Sequence, residues 1–158
     1  MKLVEVLNGV SNKINKLISW LVIVLFGIMF LACVWQVITK YLLNNSATWT
    51  DETARYTFIW ATMLSATVLS WKQGHAVLSF IVDRMPKKLG AAFRIFSEGM
   101  VIWIGVILVK YAGLPMKTAA LQKSPALHLR MDFIYVAVPI CGCLFVLYAV
   151  THIVAQAD

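Results

Sequence analysis

The chain has 158 residues, of which 61% are hydrophobic and 13% are charged, and its mean hydropathy is +0.80. Because about a quarter of the residues in a soluble domain are charged, this composition excludes a soluble globular protein. The net charge of +7 would point to nucleic acid in a soluble chain, but in a membrane chain it indicates basic flanks that face anionic phospholipids. We therefore predict an all-α integral membrane protein that forms one membrane domain and binds no nucleic acid.

The chain begins with an amphipathic segment. Apolar residues recur at helical spacing through residues 1–16, and Lys2, Lys13 and Lys16 lie among the polar residues between them. A basic amphipathic helix next to a span lies in the membrane surface, so we predict an interfacial helix here. Long apolar runs then predict four transmembrane helices, at about residues 17–40, 54–72, 89–113 and 133–155.

A polar stretch introduces the second span. Thr48 can cap the helix by accepting a hydrogen bond from the amide of Asp51, and Asp51 and Glu52 suit the positive end of the helix dipole. Asp51 and Arg55 are four residues apart, so they share a face and can form an ion pair. With Trp49 beside them, these residues predict either a capped, anchored membrane helix or a contact point for another protein.

The connection between the second and third spans has its own short apolar run. Residues 76–85 are too few to cross a bilayer as a helix, so we predict a short interfacial helix. Aromatic residues prefer the lipid–water boundary and basic residues prefer the anionic lipid surface. On that basis the predicted membrane anchors are Trp20, Trp60, Trp71, Lys87 and Lys88.

The third span carries charged residues. Arg94 and Glu98 are four residues apart and can form a pair, and Lys110 near the other end can extend its ammonium group to the interface. An ionisable residue inside a membrane is a functional candidate by default. All three lie within about two turns of a span end, which favours anchoring, and Glu98 is the deepest of them.

The fourth span and the charge distribution give three further expectations. Pro139 should kink that span or loosen its first turns, and the small residues of Cys141-Gly142-Cys143 allow close helix packing. The basic amphipathic segment at residues 1–16 and the cluster of basic residues from Arg84 to Arg94 favour a cytoplasmic location for both termini.

The residues indicate no catalytic centre, cofactor site or metal site, so we predict that the chain is not an enzyme and is a subunit of something larger. Two alternatives remain open. A membrane redox subunit would use the histidines or Cys141 and Cys143, and a stand-alone proton-coupled exporter would use Glu98.

Several motifs resemble the small membrane subunit of the TRAP transporters, the DctQ-like family. The stretch from Trp49 to Tyr56, followed by Phe58-Ile59-Trp60, is similar to the family signature, in which Trp-Thr-Glu-Glu is frequent, so Asp51 departs from the pattern. Other similar segments are Gly74-His75, Arg84-Met85-Pro86, Ser124-Pro125-Ala126-Leu127 and Val138-Pro139.

The resemblance implies a three-part, sodium-driven uptake system in the bacterial inner membrane. A soluble periplasmic protein captures an organic acid, and a large multi-span subunit holds the sodium and substrate sites and moves as an elevator. The small subunit binds the large one as part of the static scaffold and helps to dock the periplasmic protein, for which Lys117, Lys123 and Arg130 are the candidates here. The implied substrate is sialic acid or a C4-dicarboxylate, with a leaning towards sialic acid.

Overall fold

A computed structural model describes residues 2–42, 48–73 and 87–157, and these residues are almost entirely helical. The helices are α1 (Lys2–Leu42), α2 (Thr48–Gln73), α3 (Lys87–Tyr111), α4 (Gly113–Ala119), α5 (Asp132–Tyr135) and α6 (Ala137–Ala157). The all-α prediction is therefore confirmed for the described residues. The predicted interfacial helix at residues 76–85 lies outside them.

The first helix differs from the prediction. Residues predicted as an interfacial helix and a separate first span form the single helix α1 of 41 residues. No glycine or proline occurs between Gly9 and Gly27, so nothing in this segment interrupts the backbone hydrogen bonds. At 1.5 Å per residue α1 is about 60 Å long, which is twice the bilayer core of about 30 Å.

Three of the described helical segments are long and apolar enough to cross a membrane: Leu7–Leu42, Ile95–Ala119 and Asp132–Ala155. The second predicted span, residues 54–72, lies within the continuous helix α2 but is less apolar than the other three. Its composition is rich in threonine and serine. Several of these hydroxyls, including those of Thr57, Thr62 and Ser65, donate to carbonyls three or four residues earlier, so the helix satisfies them internally.

The two later spans have shifted boundaries. Hydrogen bonds from Ala112 to Leu108 and from Met116 to Ala112 carry the helical path from α3 into α4. The connection between the third and fourth predicted spans, residues 114–132, is therefore shortened to residues 120–131. The last span is interrupted at Val136, between α5 and α6. Pro139 explains this position, since it cannot donate to the carbonyl four residues earlier and crowds it.

Helix α6 is at the centre of the bundle. It contacts α1, α2 and α3, while α1 also packs along α2. Ile18, Leu64 and Cys141 are buried where α1, α2 and α6 meet. Among the described helices, α3 contacts only α6 and its own extension α4. The outer faces of α1 and α3 therefore expose many large apolar side chains, as lipid or a protein partner requires.

Candidate functional site

The buried carboxylate of Glu52 holds the connection between the third and fourth spans. The side chain projects from the first turns of α2, and the residue is only 7% exposed. It accepts hydrogen bonds from the hydroxyl of Ser124, from the amide of Ala126 at 3.1 Å and from the amide of Leu127 at 2.9 Å. We call this arrangement the Glu52 clamp. It explains how one carboxylate fixes a segment more than 70 residues away in sequence.

The electrostatics of the clamp favour the ionised carboxylate. Burial opposes ionisation, but the hydrogen bonds from Ser124, Leu127 and Ala126 and the positive charge of Arg55 outweigh it. Together they hold the pKa of Glu52 below its ordinary value of 4.5. Donors that converge on one carboxylate stabilise its charge more than they stabilise the neutral acid. At neutral pH the carboxylate of Glu52 is therefore ionised and accepts these hydrogen bonds.

The clamped segment is a compact turn. Ser124 accepts from the amide of His128 and donates its own amide to Leu129, and an isolated bridge pairs Lys123 with Arg130. His128 has a φ of 52°, a left-handed conformation that few residues other than glycine adopt. The turn exposes both cations of the bridge, and Arg130 pairs with Asp132 at 2.7 Å.

The other residues of the polar stretch face outwards. Arg55 and Asp51 form the ion pair that their spacing predicts, at 2.8 Å, with side chains 65% and 51% exposed. Thr48 and Trp49 are exposed at the start of α2. Of the five candidates named from the sequence in this stretch, Glu52 alone is buried, so the structure separates an inward clamp from an outward polar face.

An apolar groove of about 380 Å³ lies next to the clamp. Its walls come from α1, α2, the clamped turn and α5, and they include Leu21, Tyr56, Leu127 and Phe133. Trp60, predicted as a membrane anchor, lines this groove and stacks obliquely on Phe133 with ring centroids 5.6 Å apart. The groove therefore separates α1 from the last span on the clamp side of the bundle.

A second polar cluster lies at the opposite end of the bundle, the end that contains both termini. The Nδ1 atom of His152 on α6 is 3.0 Å from Oε1 of Glu98 on α3, and each side chain is only 7% exposed. Trp71 on α2 stacks on the imidazole at a centroid distance of 5.0 Å, and its ring also contacts Tyr148. Nearby, the hydroxyls of Ser11 and Thr151 lie 3.2 Å apart and tie α1 to α6.

Sequence reasoning missed this second cluster. Glu98 was expected to pair with Arg94 on its own helix. The side chain of Arg94 is not among those that the structure describes, and the structure places His152 beside the carboxylate of Glu98. The only sequence signal was the spacing of Tyr148 and His152, which puts them on one helix face. Their partners come from α2 and α3, 81 and 54 residues away from His152 in sequence, so no local pattern could connect them.

The remaining candidates have varied surroundings. Trp20 is 62% exposed, whereas Trp71 is partly covered by its contacts with Tyr148 and His152. Lys110 is exposed and lies over the ring of Tyr111, and Lys117 is exposed on α4. The side chains of Lys87 and Lys88 are not among those that the structure describes. Cys141 is buried and Cys143 is exposed, both as free thiols.

Comparison with known proteins decides the family. The sequence model of the family described as "Tripartite ATP-independent periplasmic transporters, DctQ component" matches residues 29–158. The chain belongs to the DctQ family. The resemblance found in the sequence motifs is thus confirmed.

Individual relatives support the same assignment. The sialic acid TRAP transporter small permease protein SiaQ of Vibrio cholerae is 24% identical over 106 residues, which are 66% of this DctQ chain and 60% of the relative. The sialic acid TRAP transporter permease protein SiaT of Haemophilus influenzae is 26% identical over 132 residues, 83% of this chain but only 21% of the relative. A putative TRAP transporter small permease protein of Haemophilus influenzae is 21% identical over 149 residues, 94% and 92% of the two chains.

Proposed function

We propose that this DctQ chain is the small membrane subunit of a sodium-driven TRAP transporter for an organic acid of the sialic-acid class. The observation that carries the proposal is the family match over residues 29–158. Two of the relatives are named as sialic acid TRAP transporter proteins, which favours that acid over a C4-dicarboxylate.

The proposed role is to bind the large transport subunit and to widen the static scaffold against which an elevator moves. The alignment with SiaT supports this role, because most of this chain corresponds to a small part of a much longer permease. The exposed apolar faces of α1 and α3 give a partner subunit ample surface. The buried carboxyl groups of Glu52, just before the second span, and of Glu98 are each hydrogen-bonded within the chain, which suits a scaffold better than a solute path.

The decisive experiment is sodium-driven uptake in liposomes that contain the large subunit and the periplasmic protein, with and without this chain. We expect uptake only when this chain is present, and no uptake by this chain alone. Full-rate uptake without the chain would contradict the scaffold role. Proton-coupled export by the chain alone would instead support the exporter that uses Glu98.

We also propose that the clamp side of the bundle faces the periplasm and helps to dock the soluble binding protein. All three acidic groups in the described part of this end, Asp51, Glu52 and Asp132, are bonded within the chain. Lys117 and Lys123 therefore lie exposed without an acidic partner that would reduce their field, and such a surface attracts an acidic one.

Charge reversal tests the docking role. The double variant Lys117→Glu with Lys123→Glu should bind the periplasmic protein more weakly, and its affinity should vary less with salt concentration. The matched control is Lys72→Glu, since Lys72 is an exposed lysine at the opposite end. Equal affinity in the double variant and the control would refute docking at these lysines without affecting the scaffold proposal.

A further inference from the structure

Helix α3 is held in the bundle by one neighbour. Among the described helices it contacts only α6 and the short continuation α4. Its opposite face is open, and both Phe96 and Trp103 are 64% exposed. The angle of α3 in the bundle therefore depends on its contacts with that one helix.

The first of these contacts is a close approach of two glycines, Gly105 in the second half of α3 and Gly142 on α6. A Cβ atom on Gly105 would lie 2.9 Å from the carbonyl oxygen of Gly142, and one on Gly142 would lie 2.8 Å from the carbonyl oxygen of Gly105. Two backbones in direct contact can pack closely. The side chains of Val109 and Val146 flank this crossing point, and a change in the angle between the two helices would turn about it.

The second contact is directional and lies nearer the termini. Glu98 is two turns before Gly105 on α3, and its carboxylate meets Nδ1 of His152 at 3.0 Å. The imidazole is in turn fixed by the stacked ring of Trp71, with an interplanar angle of 25°. The pair thus joins α3 to α6 and, through Trp71, to α2.

The surroundings make this pair hard to replace. Both side chains are 7% exposed, and a buried carboxylate without a partner is strongly disfavoured in an apolar medium. The only other buried carboxylate among the described residues is Glu52, at the opposite end. If α3 swung away, the carboxylate of Glu98 would lose its hydrogen bond to His152.

We propose that Glu98 and His152 form a latch that sets the angle of α3 on α6, with the Gly105–Gly142 contact as the pivot. Phe96 is about 13 Å along the helix axis from Gly105. A change of about 20°, the usual scatter of helix crossing angles, would therefore move the latched end of α3 by about 5 Å. The other end should move less, because α4 and the clamped turn restrain it. Glu98 and His152 are positioning residues in this proposal, which does not depend on the solute carried.

Spin-label distances on the full chain in lipid nanodiscs test the latch. The native cysteines Cys33, Cys141 and Cys143 are first replaced by alanine. One label pair, at Lys72 and Phe96, reports the latched end of α3 relative to α2. The control pair, at Thr48 and Lys110, reports the opposite end. All four labelled positions are exposed, so the labels leave the buried contacts intact.

The expected results separate the hydrogen bond from general packing. His152→Leu should shift or broaden the Lys72–Phe96 distance by about 5 Å and change the Thr48–Lys110 distance much less. Glu98→Gln should behave like the unaltered protein, because its amide oxygen can accept the same hydrogen bond. The double variant Glu98→Leu with His152→Leu leaves no buried Glu98 carboxylate without its partner, so it should fold even if the single variant does not, and it should still show the shift.

Three outcomes would overturn the proposal. The double variant could show the original distance at the latched end, in which case packing alone holds α3. Both label pairs could broaden equally, which indicates a general loosening of the bundle. A shift in Glu98→Gln as large as in His152→Leu would show that the hydrogen bond is not what fixes the angle.

Discussion

Replacing Gly142 by alanine should separate the two helices that form the later half of the bundle. The added Cβ would lie 2.8 Å from the carbonyl oxygen of Gly105, 2.8 Å from Cγ2 of Val109 and 3.1 Å from Cβ of Leu108. Ordinary carbon contacts begin near 3.5 Å, so α3 and α6 must move apart by about 0.7 Å. The backbone oxygen cannot rotate away as a flexible side chain could.

The size of the effect follows from two opposing terms. Forcing an extra methyl group into a tight contact costs about 1–3 kcal/mol, whereas replacing glycine by alanine within a helix gains about 0.5–1 kcal/mol. We therefore expect Gly142→Ala to lower the free energy of unfolding by roughly 1–2 kcal/mol. Gly105→Ala should act similarly, because its Cβ would meet the oxygen of Gly142 at 2.9 Å.

Reversible unfolding in mixed micelles, followed by circular dichroism as the fraction of SDS rises, measures the difference. Gly99→Ala is the control, since Gly99 is on α3, the helix of Gly105, and a Cβ there has no heavy atom within 4 Å. It should be neutral or slightly stabilising. If Gly142→Ala unfolded at the same SDS fraction as Gly99→Ala, the close contact between α3 and α6 would not exist in the membrane protein.

Three further predictions concern the clamp and the topology. Glu52→Gln should destabilise the chain near neutral pH, because an amide NH2 group would face donors that now bind a carboxylate. Since folding lowers the pKa of Glu52, its stabilising effect is complete above 4.5 and is lost as the pH falls below that value, so unfolding curves of the variant and the parent should converge in acid. Arg55→Ala should change the stability of the isolated chain by less than about 1 kcal/mol, as its ion pair with Asp51 is exposed; a larger loss on the same unfolding assay would mean that the pair is buried in the membrane. Single cysteines at Ala120 and Gln156 should react with an impermeant thiol reagent from opposite sides, and labelling of both from one side would refute the proposed orientation.

The amino-acid sequence by itself determined the class of protein, three of the membrane helices and the family. Runs of apolar residues about twenty long have one stable solution in lipid, because an unpaired backbone amide is too costly there. The Asp51–Arg55 pair and the interruption caused by Pro139 were equally predictable, since both depend on residues within one or two turns.

Only the tertiary structure decided which polar groups meet. Glu52 was visible as an acidic residue near a helix start, but its donors at residues 124–127 are brought to it by the packing of the last span. The sequence predicted that Glu98 pairs with Arg94 on its own helix, whereas the folded chain places His152 beside it. Burial forces such partnerships, because a polar side chain enclosed by apolar helices must take whatever donor or acceptor the opposite helix offers. That choice depends on helix register and rotation, which local spacing does not encode.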